Sequence, residues 1–114
     1  MLFRSGVDHI DVSYSYNELG VLLWKNGEYE NAKDFLERAM EIQAKTFGSD
    51  HIITAKTYNN LGTVHKDMGE YEKAKDFYER AIKLQTKTFG PDHVEIATTY
   101  SNLGLVYSTM GEYE

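Results

Sequence analysis

Apolar and small residues recur along most of the chain at steps of three and four. One run is Ala55, Tyr58, Leu61, Gly62 and His65; another is Tyr71, Ala74, Phe77, Tyr78, Ala81, Ile82, Leu84 and Phe89. That spacing paints a stripe on an amphipathic helix, and the strict alternation of a strand is found nowhere. The pattern predicts helices over about 10–26, 30–47, 52–68, 72–89 and 94–110, each roughly 25 Å long at 1.5 Å per residue. The only proline, Pro91, falls between two of them, where its missing N–H breaks nothing. Asp92 and Glu95 fit a capping box for the helix that follows, and Gly90 suits a left-handed cap on the helix before it. Gly69-Glu70 reads as the tight turn between two antiparallel helices.

The same positions expose an internal repeat. Every glycine falls in one of three columns 42 residues apart: Gly6, Gly48, Gly90; Gly20, Gly62, Gly104; Gly27, Gly69, Gly111. Residues 8–49 match residues 50–91 at 23 of 42 positions, and residues 92–114 match residues 50–72 at 14 of 23. A period of this length is the mark of a solenoid, whose units bury their apolar faces only by stacking. The expected architecture is all-α: an α-solenoid of antiparallel helix pairs with about five helices. One array occupies residues 1–114, as a repeat at 8–49, a second at 50–91 and a partial third at 92–114. The first helix of each unit is called helix A and the second helix B.

Read from Tyr16, the first unit carries Leu19, Gly20, Gly27, Tyr29, Ala32 and Ala39. The second repeats them as Leu61, Gly62, Gly69, Tyr71, Ala74 and Ala81, and the third as Leu103, Gly104, Gly111 and Tyr113. These offsets resemble the tetratricopeptide repeat. Small residues at Gly20 and Ala32 suit the place where helices A and B press together, and Ala39 the place where helix B meets the next helix A. The usual repeat has about 34 residues, so the longer unit implies longer helices. Ala44 and Thr86 stand where the family usually has a proline near the end of helix B. The boundary Phe-Gly-x-Asp-His, at Phe47–His51 and Phe89–His93, is similar to that of kinesin light chain and nephrocystin-type repeats. The resemblance implies a protein-interaction scaffold with no cofactor.

Composition narrows the field. The net charge of −6 argues against nucleic acid or an anionic membrane as partner. The absence of cysteine removes disulfides and thiolate chemistry, and no apolar run is long enough to span a bilayer. A cytoplasmic setting is expected.

The chemical motifs are mostly explained by the repeat. His9, His51 and His93 each belong to a separate unit, and equivalent atoms of stacked helices lie about 10 Å apart, too far to share a metal. Each Asp-His pair is expected to cap the next helix. His65, in the column of Leu23 and Tyr107, is expected to pack rather than catalyse. No nucleophile elbow, zinc motif or phosphate-cradling loop is present, so the chain is not expected to be an enzyme. Acid–base pairs at i,i+4 on helix B (Asp34–Arg38, Glu41–Lys45, Asp76–Arg80, Glu79–Lys83) read as a solvated surface.

Function is therefore expected on the concave face, which helix A lines in solenoids of this kind. One column there holds Asn17, Asn59 and Ser101, with Glu18, Asn60 and Asn102 beside it. One turn on come Val21, Thr63 and Leu105, then Trp24, Lys66 and Ser108. Asparagines offer both donors and acceptors to the backbone of an extended peptide, and Trp24 offers an aromatic anchor. Co-chaperone repeats clamp a terminal carboxylate with lysine and arginine in these columns. Here Lys56 and Lys66 are the main cations, which favours a neutral peptide or a folded protein. The alternative is a self-association module, a homo-oligomer formed through uncapped terminal helices around Val106, Tyr107 and Met110. The leader and the stop at Gly111-Glu112-Tyr113-Glu114 suggest an excerpt of a longer protein.

Overall fold

The structure, a computed structural model, describes the backbone of residues 5–112 and the side chains of residues 10–111. The roles expected of Tyr113 and of the Asp8 and His9 side chains lie outside the described residues. Among the described residues five helices follow one another: α1 (Ser5–Lys25), α2 (Tyr29–Phe47), α3 (Ala55–Asp67), α4 (Tyr71–Phe89) and α5 (Val94–Glu112). A single 3₁₀ turn, Ile52–Thr54, leads into α3. Helices α1, α3 and α5 are the A helices, while α2 and α4 are the B helices. Layer follows layer along one axis, and the molecule measures 55 × 34 × 19 Å.

The hairpins within the units close on glycine. At Gly69 (φ +81°) the Glu70 amide donates to the His65 carbonyl at 2.8 Å, the six-to-one bond of a Schellman cap. Gly27 does the same with Glu28 and Leu23. The junctions between units use a different conformation. Gly90 has the positive φ expected of it, +89°, but its ψ of 162° is extended rather than left-handed helical. Only glycine enters that region readily, and it turns the chain sharply away from helix B. Of each Asp-His pair expected to cap the next helix, the histidine does so, in place of the Asp92 capping box: His93 Nδ1 accepts from the Glu95 amide, and His51 Nδ1 from the Ile53 amide. Each imidazole also stacks on the phenylalanine before the glycine, with centroids 4.4 Å (Phe89–His93) and 4.7 Å (Phe47–His51) apart. The five residues of the boundary thus close one helix and open the next.

Two expected boundaries are helical instead. Gly6 to His9 lie inside α1, and Gly111 lies inside α5. At Gly48 and Gly90 the chain leaves a helix B and turns, whereas at Gly6 and Gly111 it runs on within one helix.

Small residues set the spacing between A and B helices. A Cβ built on Gly62 would lie 2.8 Å from the Tyr78 ring, and one on Gly20 would lie 2.6 Å from Leu36. Tyr78 is fully buried, and its hydroxyl shares a 2.8 Å hydrogen bond with Thr63. Burial pushes its phenol up to about 12. Three apolar clusters stack along the axis: Ala32, Leu36, Leu61 and Val64; Ala55, Tyr58, Ala81 and Leu84; Ala74, Tyr78, Leu103 and Val106. Each joins residues from consecutive helices, so the core is a column rather than a centre.

The charged surface of helix B departs from expectation. None of the four i,i+4 pairs closes; the ion pairs that form are Lys33–Glu30 and Lys75–Glu72, at i,i+3. Arg38 lies 5.1 Å from the Phe35 ring centroid, and Arg80 5.6 Å from that of Phe77. Their guanidinium groups cover aromatic faces that the repeat leaves half exposed.

Candidate functional site

Eight of the eleven residues expected to form the binding face line two adjoining cavities on the helix-A side. The larger, about 990 Å³, is bordered by Asn17, Val21, Lys56 and Asn60. The smaller, about 200 Å³, is bordered by Val21, Trp24, Asn59, Asn60, Thr63 and Asn102. Val21 and Asn60 belong to both. Lys66, Ser101 and Leu105 border neither. Ser101 is exposed and Leu105 is 56% exposed, so on α5 only the column of Asn102 reaches a cavity wall.

The asparagines face inward more than expected. Asn17 is only 5% exposed; its amide donates to Thr57 Oγ1 at 2.6 Å, and its oxygen accepts from Asn60 Nδ2 at 3.0 Å. Thr57 in turn donates to Gln43 Oε1 at 2.8 Å, and Gln43 Nε2 donates to Ser13. This relay crosses from helix B of the first unit to both neighbouring A helices with no charge in it. A buried amide left unpaired costs about 1–3 kcal/mol, so the relay also fixes how the units register. The second unit copies it in part. Thr99 donates to Gln85 Oε1 at 3.1 Å, and Asn59 Nδ2 donates to Thr99 at 3.2 Å. Asn59 Oδ1 is buried without a hydrogen-bond partner. Its side chain borders the smaller cavity together with Asn102, the residue 42 positions beyond Asn60.

Trp24 is anchored rather than free. Its indole N–H donates to Asp67 Oδ2 across to the next A helix, and its ring packs on the cluster of Leu36 and Leu61. One edge of the ring still borders the smaller cavity. His65 packs as expected: it is 3% exposed, lies parallel to the Phe77 ring with centroids 5.4 Å apart, and donates from Nδ1 to Glu70 Oε1 at 2.6 Å. That hydrogen bond holds the Glu70 carboxyl below its usual range.

The larger cavity contains residues that the helical columns do not single out. Tyr14, Leu22, Ile52, Ile53 and Phe89 supply most of its apolar wall, and Glu18, Glu95 and Lys56 its charges. Leu22 is 62% exposed. It is the most exposed of several large apolar residues on α1, with Val12, Tyr14 and Leu19. Ile52 and Ile53 come from the 3₁₀ turn at the first junction, and Phe89 from the boundary motif at the second, so this wall is a product of both junctions. An open, largely apolar groove with a few charges at its rim suits a peptide or a protein loop, and the volume falls in the range of about 300–1,000 Å³ typical of ligand clefts.

The tetratricopeptide repeat family model matches residues 11–87 and again residues 54–114, together nearly the whole chain. This chain is a tetratricopeptide repeat protein. Repeats of this family generally act as non-catalytic mediators of protein–protein interaction. The fold is also that of a solved structure, BtubC (BKLC) from P. vanneervenii, with a TM-score of 0.81 and 26% sequence identity. The match covers 86% of this chain and 39% of that one, so this tetratricopeptide array spans about two-fifths of the solved chain. No curated protein matches it. None of its described helices is long and apolar enough to cross a membrane.

Proposed function

We propose that this array binds an extended segment of a partner protein in the groove of about 990 Å³ that runs from α1 past the first junction to Phe89 and Glu95 at the second. The observation that carries this reading is the groove itself, an open apolar trough whose rim bears Lys56, Glu18 and Glu95. Apolar side chains of the partner bury against Val21, Leu22, Ile53 and Phe89, and this burial supplies most of the affinity. Lys56 orients an acidic or carbonyl group at the rim. Asn102, beside Asn59 at the smaller cavity, can meet the backbone of the same segment where it passes. The boundary motif and the 42-residue period support placing the repeats with those of kinesin light chain type.

The test is a peptide selection against the whole chain, followed by calorimetric titration of variants. Leu22→Asp is expected to weaken the selected peptides roughly tenfold or more while the melting curve is unchanged. Leu105→Ser, outside the groove, is expected to leave affinity as it was. Peptides that bind Leu22→Asp as tightly as the parent protein would place the binding surface elsewhere.

A further inference from the structure

A second cleft, of about 340 Å³, opens where the first junction meets α4, and it shares no lining residue with the groove. One wall is cationic. Arg80, Lys83 and Lys87 follow one another at steps of three and four, so they share a face of α4 over about 10 Å of helix rise. The other wall is the junction at Ser49 and Asp50. It is held in place, because the Tyr58 hydroxyl donates to the Ser49 carbonyl at 3.0 Å and the Thr54 hydroxyl to the same oxygen at 3.2 Å. No neighbouring acid neutralises the cations. Among the described residues, none of the three closes an ion pair. Glu79, one turn before Lys83, accepts from the Tyr107 hydroxyl instead. Arg80 lies 5.7 Å from the Tyr58 ring centroid and 5.6 Å from that of Phe77, which sets the place of its guanidinium. The cluster is not a product of the repeat. At the same three positions the first unit has Arg38, Glu41 and Lys45, so Lys83 stands where that unit carries an acid.

We propose that this cleft receives a phosphorylated side chain carried by a partner protein. Charge decides the class of ligand. Three cations against Asp50 leave a surplus of two positive charges, in a chain whose net charge is −6. A phosphate monoester carries about −1.5 to −2 at neutral pH and matches that surplus, whereas a carboxylate carries a single charge. The donors match as well. The Arg80 guanidinium offers a planar fork to two phosphate oxygens, and the two ammonium groups reach the others as mobile point charges. The Ser49 hydroxyl has no hydrogen-bond partner among the described residues, and it adds a neutral donor from the opposite wall. The cleft is larger than a phosphate group alone and admits the side chain that bears it. Repeats of this family mediate protein–protein interaction, which makes a partner protein the bearer.

The experiment titrates the full chain into a fluorescently labelled peptide with one phosphoserine between glycines, at low ionic strength. The same peptide with serine, and with glutamate, serves for comparison. Saturable binding of the phosphopeptide alone is expected, and it weakens as salt is added. Lys83→Glu is the decisive variant, because it restores the residue type that the first unit carries at that position. It is expected to weaken the phosphopeptide roughly tenfold or more with the melting curve unchanged. Lys87→Gln, which only removes a charge, is expected to weaken it roughly threefold. Leu22→Asp is expected to leave phosphopeptide binding unchanged, so this reading and that of the groove stand or fall separately. The proposal is overturned if the phosphopeptide does not saturate, if the serine or glutamate peptide binds as tightly, or if Lys83→Glu binds as well as the parent. Competition by inorganic phosphate at the concentration of the peptide would overturn it too, by making the cleft a site for the free ion.

Discussion

Helices α3 and α5 occupy the same place in successive units, yet they differ in what surrounds them. On α3, Thr57 joins Gln43 to Asn17, Asn60 completes that relay, and Gly62 lies against Tyr78. On α5, Thr99 joins Gln85 to Asn59 through longer bonds, Asn102 does not reach the Asn59 oxygen, and Gly104 faces open space. The residue types are nearly the same. The lesson is that a repeat position has no fixed energetic role, because its neighbours confer one.

Paired substitutions put that lesson to the test. The largest contrast is expected at the glycines. Gly62→Ala forces a methyl group to within 2.8 Å of the buried Tyr78 ring, with an expected loss of about 1–3 kcal/mol. Gly104→Ala meets nothing and removes a flexible residue from a helix interior, with an expected gain of about 0.5–1 kcal/mol. Urea unfolding midpoints should move in opposite directions, and a common direction would refute the comparison.

Next come the threonines. Thr57→Val leaves both Gln43 and Asn17 short of a partner in a fully buried site, costing about 2–3 kcal/mol. Thr99→Val breaks weaker bonds and is expected to cost about 1 kcal/mol less. Equal shifts in thermal unfolding would show that the two relays carry the same weight. Asn60→Ala deprives the Asn17 oxygen of its donor and should cost about 1 kcal/mol. Asn102→Ala should change stability by less than about 0.5 kcal/mol. A double-mutant cycle with Asn17 tests whether the difference arises from the relay.

The smallest effect is electrostatic and confined to the α3 side. Glu70 accepts from His65 and is thereby held below its ordinary value of 4.5. A carboxyl lowered on folding stabilises the protein above that value, and the contribution fades as pH falls through the lowered one. Removing the partnership with Glu70→Gln is expected to flatten the acid limb of the melting temperature against pH. An unchanged acid limb would assign that limb to other carboxylates.

Much of this was legible in the residues. The glycine columns give the period, the three-and-four spacing gives five helices, and Gly20, Gly62 and Ala74 give their close approach. What the sequence conceals is rotation about the helix axis. Columns show which residues share a face, not how far each side chain is buried there, so nothing in the sequence signalled that Asn17, which borders the larger cavity, is almost fully buried. Gln43 and Gln85 were missed for a related reason. A glutamine on a helix rich in charge reads as solvated, yet they are 0% and 3% exposed. Their recurrence beside the equally recurrent Thr57 and Thr99 was the available signal. The groove wall was hidden because Ile52 and Ile53 lie in the first junction, where no periodicity operates, and because Phe89, though on the stripe of α4, ends that helix at the second junction.

The stacked Phe-His pairs at the junctions have a consequence for any array that uses them. Each pair, with its glycine and its histidine cap, sets one angular step between consecutive hairpins. Steps of this kind compound: a small error repeated along a solenoid changes its pitch, and with it the distance between equivalent contact points. A stiff aromatic clasp at every boundary keeps that error small. It makes the array behave as a ruler, on which equivalent points of successive repeats stand at a fixed interval.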